Sequence, residues 1–190
     1  MQRIIIFASG SGSNAENIIN YFNKTKTAKV VHVLCNSKKA KVFDRCERLK
    51  TPSLHFTRDE FLLTDKILNF LKENADLIVL AGFLWKVPTE IIKAFPKKIL
   101  NIHPALLPKY GGKGMYGMHV HKAVADNKEK ETGITIHFVN EHYDEGAIIY
   151  QAKTALNSND TPESIAKKIH VLEQSYFPRI IEEVIVSVNE

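Results

Sequence analysis

Two polar side chains, Asn101 and His103, stand two residues apart at the end of an apolar run and just before Pro104. Side chains of an extended strand alternate between its faces, so this spacing predicts that the amide and the imidazole point the same way. Proline cannot donate to a sheet ladder, so the strand should end there, at the carboxyl edge where open α/β sheets keep their sites. An amide beside an imidazole can hold a carbonyl oxygen and stabilise charge on it. The alternative is a strand end with two solvated polar residues.

A second motif, Gly-Ser-Gly-Ser-Asn at 10–14, follows a short apolar run and opens a predicted helix. Glycines allow a close backbone approach, and free N–H groups at a helix start attract anions, which predicts a phosphate site. The alternative is a βα turn capped by a serine or asparagine side chain. With Ala15 the motif also fits a loose dinucleotide pattern, which normally needs an acidic residue after the second strand. The chain has Cys-Asn-Ser-Lys-Lys at 35–39 instead, and those lysines could accept an NADP phosphate.

A third element, Glu-His-Tyr-Asp-Glu-Gly at 141–146, lies in a predicted connection between two strands. Such residues are common in turns, so a simple turn is the alternative interpretation. A carboxylate brought to His103 from this segment would hold the imidazolium form and relay protons.

Around these motifs, short β-rich runs alternate with helical patterns. Apolar runs with little alternation predict strands covered on both faces at 3–8, 29–35 and 77–81. Helical periodicity predicts helices at 14–23, 41–50 and 59–74. Beyond Pro108 we expect a glycine-rich loop at 109–117, a helix at 119–127, strands at 133–139 and 147–155 joined through 140–146, and a long helix from Pro162 to about 186 with Thr161 as its N-cap. The β–α rhythm predicts a parallel, right-handed wound sheet.

The composition is that of an ordinary globular protein, with 190 residues, 44% of them hydrophobic and 25% charged. A net charge of +5, spread along the chain, suits an anionic small substrate and argues against nucleic acid as a partner. Cys35 and Cys46 form neither a metal-type spacing nor a disulfide framework, and no dense ligand cluster indicates a metal. No apolar run suits a signal peptide or a membrane span, so the cytoplasm is the predicted location. The composition is compatible with a monomer and with a homodimer.

Together and in this order, the motifs resemble the folate-dependent formyltransferase family. The resemblance covers residues 9–14, 80–83, 101–104 with 106–108, 135–139, 144–146 and Glu173. It implies one α/β domain over 1–190 with a Rossmann-like wound, mainly parallel sheet, a mixed or antiparallel C-terminal part and a long C-terminal helix. In that fold residues 1–100 would bind the nucleotide phosphate, and 101–190 would carry catalysis and folate binding.

The resemblance also implies a reaction, direct transfer of the formyl group of 10-formyltetrahydrofolate to the amine of glycinamide ribonucleotide. Asn101 would hold the formyl oxygen and His103, as imidazolium, would stabilise the tetrahedral intermediate. Asp144 would orient His103 and help move the proton. No covalent enzyme intermediate is implied, in keeping with the missing nucleophile.

The remaining site residues follow from the same resemblance. The phosphate would lie on the backbone of Gly10, Ser11, Gly12 and Ser13 and on the Asn14 side chain, with Glu173 on the ribose hydroxyls and His170 nearby. The pterin would lie against Leu84, Trp85, Lys86, Val87, Asn140, Glu141 and Asp144. Thr135 and His137 would support catalysis or orient water, although a core histidine is the alternative for His137.

The chain departs from the family pattern in three places. Leu-Trp-Lys-Val at 84–87 replaces the Met-Arg and two aliphatic residues of many members, and His170 stands where a glutamine can serve the nucleotide. The loop 109–117 is long and glycine-rich, which predicts a mobile lid, with a disordered surface loop as the alternative. A formyltetrahydrofolate hydrolase, an NADP-dependent oxidoreductase and a non-catalytic phosphometabolite-binding module remain open as alternative functions.

Overall fold

The computed structural model describes residues 1–187, which form seven strands and seven helices. In chain order they are β1 (Gln2–Ala8), α1 (Ser13–Thr25), β2 (Ala28–Cys35), α2 (Val42–Arg48), β3 (Ser53–His55), α3 (Arg58–Leu62), α4 (Lys66–Asn74), β4 (Leu77–Leu80), α5 (Thr89–Ala94), β5 (Ile99–His103), α6 (Met118–Asp126), β6 (Glu131–Phe138), β7 (Ile148–Ala155) and α7 (Pro162–Ser187).

The strands form a single mixed sheet in the order β3-β2-β1-β4-β5-β6-β7. The five strands from β3 to β5 pair in parallel, whereas β6 pairs antiparallel with β5 and β7 antiparallel with β6. The predicted α/β fold with a parallel wound sheet and an antiparallel C-terminal part is confirmed. Because β1, β4 and β5 are adjacent and parallel, their carboxyl ends meet at one edge of the sheet.

Both faces of the sheet are covered, which explains the continuous apolar runs. In β1, Ile4 and Ile6 pack into one apolar layer with side chains of α1, α6 and α7. Ile5 and Phe7 point the other way, into a second layer with side chains of α3, α4 and α5. Alternate side chains of β1 therefore pack into two separate apolar cores, one on each face of the sheet.

The prediction of a single helix at 59–74 is wrong, because the structure has two helices, α3 and α4, in this segment. The chain leaves α3 at Leu63, whose N–H donates to the Asp59 carbonyl at 2.8 Å and whose side chain is 77% exposed. The Thr64 hydroxyl then accepts from the Lys66 N–H at 3.3 Å, at the start of α4. Because Thr64 hydrogen bonds to backbone groups, α3 ends and α4 begins on either side of it. The helical spacing of apolar residues nevertheless continues across this break.

The other predicted elements agree with the structure to within two residues at each end. The strand β3 and the helix α5 were not among the predictions, since each has only a few residues. Thr161 caps α7 as expected, because its hydroxyl accepts from the Ser164 N–H at 3.3 Å. None of the helices among residues 1–187 is long and apolar enough to cross a membrane.

Candidate active site

A cavity of about 500 Å³ opens at the carboxyl edge of the sheet, beyond the ends of β4 and β5. Side chains from β6, α1, α6 and α7 complete its walls. Among the residues predicted for the site, those that line it are Asn14, Leu84, Trp85, Lys86, Val87, Asn101, His103, His137, Asn140, Asp144 and Glu173. The structure thus brings most of the predicted site to one cavity.

Asn101 and His103 both face this cavity from the last residues of β5, as their spacing predicts. The intervening Ile102 also borders the cavity, but its side chain is 6% exposed and packs in the apolar layer with α6 and α7. Across the antiparallel pair, Asn101 is opposite His137 and His103 is opposite Thr135. The Asn101 amide donates to the His137 Nε2 at 3.1 Å, which fixes the orientation of the amide.

His103 is buried and contacts a protein group at each ring nitrogen. Its Nε2 lies 2.7 Å from the Tyr110 carbonyl oxygen, which can only accept, so Nε2 carries a proton. Its Nδ1 lies 3.5 Å from Oδ2 of Asp144. Burial lowers the pKa of His103 below its ordinary value, although the Asp144 charge and the Tyr110 carbonyl oppose this. Burial thus disfavours the charged form of the ring, whereas the acceptor at each ring nitrogen favours it.

Asp144 shares its carboxylate between two histidines and a backbone amide. Besides His103, its Oδ1 lies 3.7 Å from His137 Nε2, and its Oδ2 accepts from the Gly112 N–H at 3.0 Å. Burial alone would raise the pKa of Asp144, but the neighbouring His137 and His103 rings and the Gly112 N–H outweigh it and hold the pKa below its ordinary value. The predicted meeting of this carboxylate with His103 is present in the structure.

Thr135 lies beside the site without lining the cavity. Its buried hydroxyl donates to the Ala105 carbonyl at 2.7 Å and accepts from the Leu107 N–H at 3.0 Å. It also accepts from the Gln151 amide at 2.9 Å. The hydroxyl thus ties β6 to the chain that leaves β5.

The conformation of the loop between β1 and α1 depends on Gly12, the N-cap residue of α1. Gly12 has φ 75°, in the left-handed region, and a Cβ there would lie 2.4 Å from Val42 Cγ2. No side chain caps α1, so the alternative of a serine or asparagine cap is wrong. Arg45 supports the loop from α2, where its Nε donates to the Ser11 carbonyl at 2.8 Å. Gly10, Ser11, Gly12 and Ser13 lie outside the residues that line the cavity.

The first helix and the last helix meet where this loop approaches the cavity. The Asn14 amide donates to Glu173 Oε2 at 3.0 Å and accepts from the Gln174 amide at 2.8 Å. His170 Nδ1 lies 3.4 Å from the same Glu173 oxygen, and that hydrogen bond raises the pKa of His170. Glu173 therefore joins the loop side of the site to α7, and its carboxylate lines the cavity while His170 does not.

Two predicted folate segments form the other end of the cavity. The Lys86 ammonium lies 5.5 Å from the centroid of the Tyr143 ring, which links the segments 84–87 and 140–144. Trp85 packs edge-on against Phe56, with ring centroids 5.9 Å apart, within a larger aromatic cluster. Glu141 is exposed and does not line the cavity, unlike the other residues predicted for the folate side.

Two contributors to the site were missed by the sequence analysis, the Tyr110 carbonyl and His121. A backbone carbonyl leaves no mark in the sequence. His121 lies one helical turn from Val124 on α6, so the helical period could have placed it on the buried face. The glycine-rich loop also borders the cavity through residues 112–117. Among residues 1–187, no group of three or more His, Cys, Asp or Glu side chains is arranged to hold a metal ion.

Comparison with known sequences gives a match over almost the whole chain. The profile of the family described as "Formyl transferase" matches residues 2–181. A phosphoribosylglycinamide formyltransferase of Bacillus subtilis is 32% identical over 191 residues, which cover 97% of this chain and 95% of that protein. A chloroplastic phosphoribosylglycinamide formyltransferase of Arabidopsis thaliana is 37% identical over 95% of this chain, which spans 64% of the plant protein.

Solved structures give the same result for the fold. Glycinamide ribonucleotide transformylase 1 of Symbiobacterium toebii superposes with a TM-score of 0.90 at 29% identity, over 98% of this chain and 89% of that one. Phosphoribosylglycinamide formyltransferase of Bacillus halodurans superposes with a TM-score of 0.85 at 31% identity, over 96% of this chain and 95% of that one. The overall fold is thus shared with these proteins.

Proposed function

The chain belongs to the formyl transferase family, and from that premise we propose that it transfers the formyl group of 10-formyltetrahydrofolate to the amine of glycinamide ribonucleotide. The arrangement of Asn101, His103 and Asp144 around one end of the cavity supports this proposal most directly. An amide donor, an imidazole and a carboxylate lie together there, with no serine or cysteine nucleophile in the motif. Such a set suits direct acyl transfer through a charged tetrahedral intermediate.

In the proposed reaction, the acceptor amine attacks the formyl carbon to form a new C–N bond. The carbonyl electron pair moves to the formyl oxygen, where the Asn101 amide and the His103 ring stabilise the charge. Collapse of this intermediate breaks the bond between the formyl carbon and the folate nitrogen. The proton lost by the amine goes to that nitrogen, with Asp144 and solvent as carriers. The products are the formylated nucleotide and tetrahydrofolate.

The charge state of His103 refines this proposal. Because burial lowers its pKa, the imidazolium form becomes favourable only when negative charge develops on the formyl oxygen. Asp144 holds the ring in place and favours that form, since its carboxylate is ionised at neutral pH. The His103 Nε2 donates to the Tyr110 carbonyl, so this bond must be exchanged for one to the formyl oxygen. That exchange requires movement of the glycine-rich loop and agrees with its proposed role as a lid.

We further propose that the two substrates enter from opposite ends of the cavity. The folate would lie against 84–87 and 140–144, and the nucleotide would reach the loop 10–14 past Glu173. Positive backbone dipoles at the start of α1 suit a phosphate. Both partners are small molecules, and we infer a cytoplasmic location, which cell fractionation would check.

A spectrophotometric assay tests the proposal. Purified protein is mixed with 10-formyltetrahydrofolate and glycinamide ribonucleotide, and the absorbance of the deformylated folate is followed. We expect turnover that depends on the nucleotide. Folate release that is equally fast without nucleotide would instead identify a hydrolase. Nucleotide binding without any turnover would identify a binding module, and turnover of NADP would identify an oxidoreductase.

A further inference from the structure

His121 is a buried, cavity-lining side chain that the proposed reaction does not use. Its side chain on α6 is only 6% exposed and lines the cavity. Its Nδ1 is enclosed and has no hydrogen-bond partner within residues 1–187. Two other enclosed polar atoms of the described chain lack a partner, His32 Nδ1 and Asn36 Oδ1, but neither residue lines the cavity. A buried ring nitrogen without a partner restricts which nitrogen of His121 carries the proton, because an enclosed N–H that donates to nothing is costly.

The missing partner of Nδ1 determines where the ring proton lies. A neutral imidazole has one N–H donor and one bare acceptor nitrogen. An enclosed N–H with no acceptor loses its hydrogen bond to water, so the proton is more stable on Nε2. Burial also lowers the pKa of His121, which favours the neutral ring. His121 is therefore a neutral donor through Nε2.

His121 lines the same cavity as Glu173 and His103, the two groups proposed to hold the ends of the acceptor. Glu173 and His103 are both near enough to act electrostatically on its ring. If the reacting amine lies at His103 and the ribose lies at Glu173, the group between them is the amide of the ribosylamide. A carbonyl oxygen at that point is an acceptor and matches a neutral N–H donor.

We propose that His121 is a binding residue for the acceptor nucleotide, whose amide carbonyl accepts a hydrogen bond from His121 Nε2. This inference rests on the proposed function and adds a specificity contact to it. The residue would select acceptors that carry an amide between ribose and amine. It would have no contact with the folate.

Calorimetric titration of three variants tests the contact, with binding measured to the folate-free protein. His121→Leu removes the donor, His121→Gln keeps one near the position of Nε2, and His119→Leu changes an exposed histidine on the same helix. We expect His121→Leu to weaken binding of glycinamide ribonucleotide about tenfold. His121→Gln should remain within about threefold of the unchanged protein, and His119→Leu should bind like it.

Two further readouts separate binding from a structural role. Ribose 5-phosphate lacks the amide, so His121→Leu should bind it as the unchanged protein does. The thermal midpoint of His121→Leu should stay the same or rise, because an unpaired buried nitrogen is replaced by an apolar group. The KM for the folate should not change.

The possible outcomes distinguish a binding contact at His121 from a structural role. Unchanged nucleotide binding by His121→Leu would overturn the contact, as would equal losses for ribose 5-phosphate and for the complete nucleotide. Weak binding by both His121→Leu and His121→Gln with lowered thermal midpoints would show a structural role instead. If the unchanged protein neither binds nor formylates the nucleotide, the proposed function itself fails, and this outcome is distinct from the others.

Discussion

The two ends of the cavity are built in different ways. At the end where transfer is proposed, Asn101, His103 and Asp144 each contact another protein group. These groups come from β5 and from the turn that follows β6. At the nucleotide end the groups come from a loop and from helices. Asn14 and Glu173 hydrogen bond to each other there, but His121 Nδ1 has no partner within residues 1–187.

This difference predicts which kinetic constant each end of the cavity controls. Groups that partner one another on rigid strands are held in position for chemistry, and their loss should lower kcat. Groups that lack a protein partner gain one only when ligand arrives, so their loss should raise KM for the nucleotide. Substitutions at the two ends should therefore change different kinetic constants.

The largest effect is expected at the transfer end. Asn101→Ala and His103→Ala should each lower kcat by at least about a hundredfold, the scale for loss of one oxyanion donor. Steady-state kinetics with both substrates would measure this, and the KM for the nucleotide should change little. Asn127→Ala, which removes an exposed amide at the residue after α6, serves as the control. Near-normal turnover in both site variants would remove these residues from the chemistry.

A smaller effect on kcat, with a shift in its pH dependence, is expected for Asp144→Asn. The carboxylate opposes the lowering of the His103 pKa by burial, so its loss lowers that pKa further. The charged histidine then exists only at lower pH, and the fall in rate with rising pH should begin earlier. We expect kcat to fall about tenfold to a hundredfold. A kcat profile from about pH 5.5 to 8.5 checks this, since an unshifted profile would show that Asp144 does not tune His103.

At the nucleotide end, Gly12→Ala should reduce both stability and nucleotide binding. A left-handed φ of 75° costs a non-glycine residue about 1–2 kcal/mol, and the new Cβ would overlap Val42. We expect the KM for the nucleotide to rise about tenfold with a smaller change in kcat. Urea unfolding and steady-state kinetics would measure the two effects.

Gly10→Ala is the matched control for stability, because a Cβ at Gly10 meets nothing within 4 Å. Equal losses of stability in the two variants would show that neither φ nor Val42 explains the glycine at 12. Adding Val42→Ala to Gly12→Ala should recover the stability that is lost through overlap with Val42. The loss caused by the left-handed φ should remain.

The same contrast explains how much the sequence reveals. Strand alternation and Pro104 placed Asn101 and His103 on one face at a strand end, because these rules act locally. The meeting of Asp144 with His103 and His137 depends on an antiparallel partner strand, and only the family resemblance indicated it. The Tyr110 carbonyl and the break between α3 and α4 depend on backbone geometry and on single hydrogen bonds. Apolar periodicity, which continues through that break, does not report such bonds.

The smallest effect is expected at Arg45, and it separates charge from geometry at the nucleotide end. Arg45 donates to the Ser11 carbonyl and pairs with Glu16, whereas Arg48 pairs with Glu16 alone. Arg45→Lys keeps the charge but loses the guanidinium Nε donor, so the KM for the nucleotide should rise about threefold. Arg48→Lys should leave KM unchanged, since an exposed ion pair contributes little. If both variants behave alike, general positive charge rather than support of the loop backbone attracts the phosphate, and the loop needs no side chain to hold it.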